Sequence, residues 1–272
     1  MATSNPPRPN RTTFRFALPP TLGDVQVRAA PLQSYLSDAL GKPAEVIVPA
    51  SYETLAKDLL GGKVDAAWAP PFVCARIEAM GVRVLVRGVR GGASTYRAAL
   101  VCRADANVTK DSLQGTTAAW SDRDSVGGYL LPMAWLREHG QDPAKLFFRQ
   151  DFVGSYKAAL ELVAKGAIDV TSIFAAAARA GHPDVTGIDE VWAGASAKFK
   201  VLAFTDEAPN DGVAVSMAMT GPMVTELEKA MLALKDSEKG AQVLGDLFHA
   251  DRFEPAPRMG YRALYRVALA SL

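Results

Sequence analysis

The sequence predicts an α/β protein built as two similar lobes. Three observations predict it. First, one stretch occurs twice: SYETLAKDLLGGKVD ends at Asp65 and SYKAALELVAKGAID ends at Asp169. In each, a tyrosine (Tyr52, Tyr156) stands thirteen positions before the aspartate, an amphipathic helix lies between them, and a short apolar strand follows (DAAWAP, DVTSIF). Second, apolar runs of strand length alternate with segments of helical period along most of the chain. Third, a strand-like run at Lys198–Thr205 follows the second copy and reads as a return to the first lobe.

In chain order, residues 1–11 form a polar, Pro-rich tail expected to be disordered. Thr13–Ala17 is the first strand. After a loop at Leu18–Gly23, a helix carries Val27, Leu32, Leu36 and Leu40 and stops at Gly41. Ala44–Val48 is a strand. The helix after Ser51 puts Leu55, Leu59 and Leu60 on one side and ends at Gly61-Gly62, before a strand at Asp65–Trp68. Pro70-Pro71 opens a helix over Phe72–Met80, with proline in its tolerated first turn. Val82–Val89 and Tyr96–Cys102 are strands joined through a glycine-rich turn that does not match the dinucleotide fingerprint.

The crossing into the second lobe is expected after Arg103. Thr117–Trp120 is that lobe's first strand. A loop at Ser121–Gly128 leads to a helix over Tyr129–His139, ended by Gly140. Leu146–Phe148 reads as a short strand. The repeated helix spans Tyr156–Lys165, its strand spans Asp169–Phe174, and an alanine-rich helix begins at Ala175–Ala180. After Lys198–Thr205 come the DEAPNDG loop, a strand at Val213–Met217 and two C-terminal helices. The predicted division is residues 12–104 with 204–272 in one lobe and 105–203 in the other.

Bulk properties narrow the function. A net charge of +1 with scattered basic residues leaves no footprint for nucleic acid or an anionic membrane. No stretch has the roughly 18 apolar residues of a membrane-spanning helix. The N-terminus lacks an apolar signal core, so the sequence as it stands reads as cytoplasmic, or as periplasmic if a leader has been removed. Cys74 and Cys102 sit in apolar contexts as buried thiols, without metal-ligand spacing. Asp122 and Asp124 lack a glutamate or histidine at a ligand spacing, and His139, His182 and His249 have no serine or cysteine nearby to form a nucleophile pair. No catalytic residue, metal or cofactor is therefore expected.

Several strings, in order and at matching spacings over about residues 13–250, resemble the phosphate/phosphonate-binding, PhnD-like family of solute-binding proteins of ABC transporters. They are SYETLAKDLLGGKVDAAWAPP, TYRAALVCRAD, DRDSVGGYLLP, FVGSYKAALELVAKGAID and FTDEAPNDGVAVS. The resemblance implies the two-lobe type II periplasmic-binding-protein fold with two hinge crossings, and a ligand held in an interlobe cleft. It also implies ligand groups at helix N-termini, where unpaired N–H groups and the helix dipole attract an anion. The family's Ser-Thr-Ser-Gly loop aligns with Ser125, Val126, Gly127 and Gly128, so two hydroxyls are absent here. Tyr52 and Tyr96 match pocket tyrosines, Tyr156 stands where histidine is frequent, Ala176 replaces an acidic contact, and Asp211 matches a second acidic position. Thr205 joins these candidates.

Each candidate also has a plainer reading. Tyr52 and Tyr156 suit the mouths of helices, Tyr96 suits strand packing, Ser125 or Asp124 suits an N-cap, and Asp211 suits a turn. The expected function is capture of a small anionic ligand, phosphonate-like or another small organic anion. The partner would be an ABC permease or a sensor protein. The alternative is a cytoplasmic enzyme on the same fold, a lyase or biosynthetic enzyme resembling chorismate dehydratase or the thiamin-pyrimidine synthases. Its general base would come from Asp122, Asp124 or Asp211.

Overall fold

The computed structural model describes residues 12–20 and 25–265, without the side chains of residues 25–28 and 263. The tail at residues 1–11, part of the first loop and the Val27 side chain lie outside the described residues. The chain divides into two compact units, one reaching to Ser94 and resuming at Pro209, the other spanning Thr95–Ala208.

The first unit holds β1 (Phe14–Ala17), α1 (Val25–Leu40), β2 (Ala44–Ile47), α2 (Tyr52–Leu60), β3 (Ala66–Ala69), α3 (Pro71–Ala79) and β4 (Arg83–Val89). The second unit holds β5 (Thr95–Arg103), β6 (Thr117–Trp120), α4 (Leu131–Glu138), α5 (Pro143–Leu146), β7 (Arg149–Phe152) and α6 (Tyr156–Ala164). It continues with β8 (Val170–Ala176), α7 (Ile188–Val191) and β9 (Phe199–Phe204). The short β10 (Ala208–Pro209) lies at the boundary and belongs to the second sheet. β11 (Gly212–Val215), α8 (Gly221–Ala233), α9 (Glu238–Val243) and β12 (Arg252–Pro255) return the chain to the first unit.

The first sheet runs β12-β4-β11-β3-β1-β2, with β1 parallel to both β2 and β3 and β11 antiparallel to its neighbours. Its core joins Phe14, Phe16 and Trp68 to Leu32 and Leu36 of α1, Leu227 and Met231 of α8, and Phe248 and Phe253. Trp68 meets Phe248 and Phe253 edge-on at 5.1 and 5.5 Å, the geometry that aromatic quadrupoles favour.

The second sheet runs β10-β5-β8-β6-β7, with β9 also on β5. Successive side chains of a strand point to opposite faces, so the sheet is covered on both sides. Leu100, Cys102, Trp120 and Val170 pack with Met133 and Leu136 of α4. Ala99, Val101, Ile173 and Ala175 pack with Ala159, Leu160 and Val163 of α6.

Several expectations are corrected. The units divide at Ser94/Thr95 and Ala208/Pro209, not at 104/105 and 203/204, because β5 pairs with β8 from Tyr96↔Ala176 to Cys102↔Val170. β9 also pairs with β5, so Lys198–Thr205 does not return to the first sheet. Leu146–Phe148 is not a strand. Asp142 accepts from the Ala144 N–H at 3.1 Å and caps α5, Pro143 holds its first turn, and β7 follows. Ala175–Ala180 is not helical either. Ala175 and Ala176 finish β8, and the Ala178 N–H is taken by the Glu207 carboxylate at 2.9 Å. His249 sits in the left-handed conformation (φ 47°) past the last helical turn, and β12 follows where no strand was foreseen. Both cysteines are free and buried.

The chain enters the second unit through β5 and leaves it beside the same strand. On the first-unit side, the Asn210 N–H donates to the Ser94 carbonyl at 2.9 Å. Its side-chain amide donates to the Gly88 and Ala93 carbonyls, both at 3.0 Å. On the second-unit side, the Thr95 hydroxyl donates to the Glu207 carboxylate at 2.5 Å.

Candidate functional site

The predicted anion loop follows β6. Asp122 accepts from the Asp124 N–H at 2.8 Å, folding the chain into a tight Asx turn. Ser125 then caps the next helix, its hydroxyl accepting from the Gly128 N–H at 3.1 Å. That helix opens with a π turn, Val126–Leu130, which runs directly into α4. The Leu130 N–H reaches back to the Ser125 carbonyl at 3.0 Å, a five-residue step that widens the turn. π turns are rare, and they concentrate at functional sites.

A side chain would be crowded at Gly127 and would collide with its neighbours at Gly128. A Cβ on Gly127 would lie 3.1 Å from the Tyr156 hydroxyl, 3.4 Å from Phe174 Cβ and 3.4 Å from Tyr96 Cε2. A Cβ on Gly128 would lie only 1.9 Å from the Ser121 oxygen, 2.7 Å from the Ser125 oxygen and 3.0 Å from Tyr156 Cε1. The Gly127 carbonyl accepts from the buried Ser172 hydroxyl at 2.7 Å, which pins the turn to β8.

The aromatic residues arrive on the strands and on α6. The register sets Ala98 opposite Phe174 and Leu100 opposite Ser172, so Tyr96, Phe174 and Ser172 project from one face of β5 and β8 onto the glycines. Tyr156 occupies the first position of α6, whose cap Ser155 accepts from the Ala158 N–H at 3.2 Å. Its ring meets Phe174 edge-on at 5.5 Å and its hydroxyl bonds the Ser125 hydroxyl at 3.1 Å. The result is a helix start faced by backbone N–H groups and hydroxyls, beside a three-ring aromatic wall. Such a start can hold an oxyanion without a permanent cation.

The structure therefore brings Tyr96, Ser125, Val126, Gly127 and Tyr156 together in the second unit. Tyr96 belongs to the same unit as Tyr156, not to the opposite lobe as the sequence division implied. The Val126 side chain is buried. Thr205, also in this unit, has its hydroxyl committed: it accepts from the Ala98 N–H and donates to the Asp206 carbonyl, both at 2.9 Å. Tyr52 and Asp211 lie in the first unit. Tyr52 opens α2, capped by Ser51 in the manner of Ser155. Asp211 is ion-paired with Arg90, whose guanidinium also donates to the His249 carbonyl at 2.9 Å.

Sequence reasoning missed Ser121, Ser172 and Phe174. Phe174 and Ser172 share strand parity, a signal that could have grouped them. Ser121 offered only its place at the end of a strand.

Residues 16–261 match the family described as ABC transporter, phosphonate, periplasmic substrate-binding protein. The chain belongs to that family. Its members are solute-binding proteins, the first of the two functions set out above. Among solved structures, XAC2383 from Xanthomonas citri bound to ATP has a TM-score of 0.79 at 19% identity, over 95% of this chain and 96% of that one. PhnD1 from Prochlorococcus marinus in complex with methylphosphonate gives 0.72 at 16%, over 96% and 98%. A binding protein component of a phosphonate ABC transporter from Pseudomonas aeruginosa gives 0.71 at 16%, over 96% and 87%. These likenesses show the type II periplasmic-binding-protein fold. Among the described residues, no helix is long and apolar enough to cross a membrane.

Proposed function

We propose that this protein captures a small organic oxyanion of the phosphonate class and presents it to an ABC permease on the outer face of the cytoplasmic membrane. The head group docks at the start of the helix that Ser125 caps, and the organic part lies along Tyr96, Tyr156 and Phe174. The observation that carries this reading is the gathering of a capping hydroxyl, two glycines and three aromatic rings at one helix start. An oxyanion gains charge-assisted hydrogen bonds there, while an apolar substituent gains ring contact. The first unit's candidates, Tyr52 and Asp211, belong to the proposal through the family resemblance. Asp211 would have to exchange part of its ion pair with Arg90 to meet a ligand.

Calorimetry and thermal shift with inorganic phosphate, methylphosphonate, phenylphosphonate and ATP test it. The last three cover an alkyl, an aryl and a nucleotide substituent. Phenylphosphonate is expected to bind at least tenfold more tightly than inorganic phosphate, because only it uses the aromatic wall. A ligand at a hundred times its dissociation constant stabilises the fold by about 2.7 kcal/mol, readable as a shift in Tm. Equal affinity for phosphate and phenylphosphonate would remove the aromatic wall from the proposal. No binding by any of the four would remove the anion site.

A further inference from the structure

Ser121 is 4% exposed, and among the described residues its hydroxyl oxygen has no hydrogen-bond partner. A buried, unpartnered hydroxyl is costly, so natural structures keep few of them without a reason. This oxygen lies where a side chain on residue 128 would begin, 1.9 Å from the position of the absent Cβ. The next nearest atoms to that point are the Ser125 hydroxyl at 2.7 Å and the Tyr156 ring edge at 3.0 Å. Those are the two side chains that join the helix start to the aromatic wall. The unpartnered oxygen thus lies directly behind the proposed anion site.

The sequence around it explains why a donor is needed there. Positions 126 and 127 carry valine and glycine, which offer no hydroxyl to an oxyanion. We propose that Ser121 is a ligand-binding residue that supplies a replacement donor to the oxyanion head, and that Gly128 is glycine so that this hydroxyl can lie against the helix start. The inference rests on the anion site proposed above. The oxygen is closed to water, and the Ser125 hydroxyl and Tyr156 ring edge lie near the same Gly128 Cβ point. The head group then meets hydroxyls from Ser121 and Ser125 in place of the run of hydroxyls on the loop itself.

The test is Ser121→Ala in the full chain, read by calorimetry with phenylphosphonate and methylphosphonate and by thermal melting without ligand. A hydrogen bond to a charged group corresponds to roughly a tenfold to hundredfold change in affinity. The expected result is a loss of at least about tenfold for the tighter probe, with an unliganded Tm equal to or above that of the wild type, since no bond is lost on mutation. Gly128→Ala, whose Cβ would crowd both the Ser121 and the Ser125 hydroxyls, should lower affinity at least as much as Ser121→Ala. Unchanged affinity in Ser121→Ala overturns the inference and leaves the Ser125–Tyr156 site standing. A Tm several degrees lower without ligand makes Ser121 a packing residue and overturns it too. If the wild type binds neither probe while Tyr156→Phe melts normally, the anion site itself fails, and this inference with it.

Discussion

The repeated segment, Ser51–Asp65 in the first unit and Ser155–Asp169 in the second, performs the same structural task twice, and only the second copy sets its tyrosine against the Ser125 loop. Both copies begin with a serine whose hydroxyl caps the helix, at 3.1 Å to the Thr54 N–H and 3.2 Å to the Ala158 N–H. Both end with an aspartate that clasps a neighbouring parallel strand, β1 in the first unit and β6 in the second. Asp65 accepts from the Arg15 N–H at 2.8 Å, and Asp169 accepts from the Thr117 N–H at the same distance. In return, each aspartate's own N–H donates to the carbonyl of the residue it clasps. The pattern therefore encodes scaffold: cap, helix, tight turn, strand lock. The difference lies in what the tyrosine meets. Tyr156 reaches a capping serine, two glycines and Phe174, all of its own unit. Tyr52 stands at the equivalent place in the first unit, on the opening turn of α2. The repeated motif fixes where the tyrosine stands, and the neighbouring loop fixes what it meets.

Tyrosine truncation should break this symmetry most strongly. Tyr156→Ala removes ring burial and the bond to Ser125, and should cost about 2–3 kcal/mol in both phenylphosphonate affinity and unfolding free energy. Tyr52→Ala should cost phenylphosphonate affinity less than half as much, because the Ser125 loop belongs to the unit of Tyr156. Equal losses of affinity would erase the distinction drawn here.

The clasping aspartates should restore the symmetry. Asp65→Ala and Asp169→Ala should each destabilise by about 1–2 kcal/mol in denaturant titrations, with ligand affinity unchanged, because each loses charge-assisted bonds to strand backbone. Asp169 also accepts from the Thr117 hydroxyl at 2.8 Å but is the more exposed of the two, so the effects should be similar. An affinity loss in Asp169→Ala without a stability loss would assign it to binding. Smallest are the caps: Ser51→Ala and Ser155→Ala should each cost about 0.5–1 kcal/mol. A cost above about 2 kcal/mol in Ser155→Ala alone would show that Ser155 supports the site beyond capping.

The repeat was legible because its signals are local. A capping serine, a helical period and a Gly-Lys turn are each set within a few residues. Sheet membership was not legible. β5 is a long apolar strand that either sheet could take, and only its pairing with β8 and β9 assigns it. The alanines after Phe174 read as helix by propensity, yet the backbone there is drawn into long-range bonds. The Arg97 guanidinium donates to the Ala176 carbonyl at 2.9 Å, and the Ala176 N–H donates to the Val185 carbonyl at 2.8 Å. In the site, the loop and tyrosine were found through residues adjacent in the chain or matched to a family pattern. Ser121 was invisible because its significance lies in a missing Cβ seven residues away. Thr205 shows the converse: a hydroxyl at a plausible position whose bonds are already taken by the backbone of β5 and of the next residue.

The way the chain enters and leaves the second unit has a wider consequence. Ser94 and Asn210 are hydrogen-bonded neighbours, so a long excursion begins and ends at almost the same point of the first unit. The second unit is, in effect, a cassette set into a host whose sheet closes without it: β4 and β11 pair directly across the gap in sequence. Cassettes of this kind can be exchanged, because the junction asks only that two chain ends lie side by side. Since the hydroxyls and rings around Gly127 and Gly128 all come from within the cassette, swapping it between relatives would carry that whole cluster across as one piece.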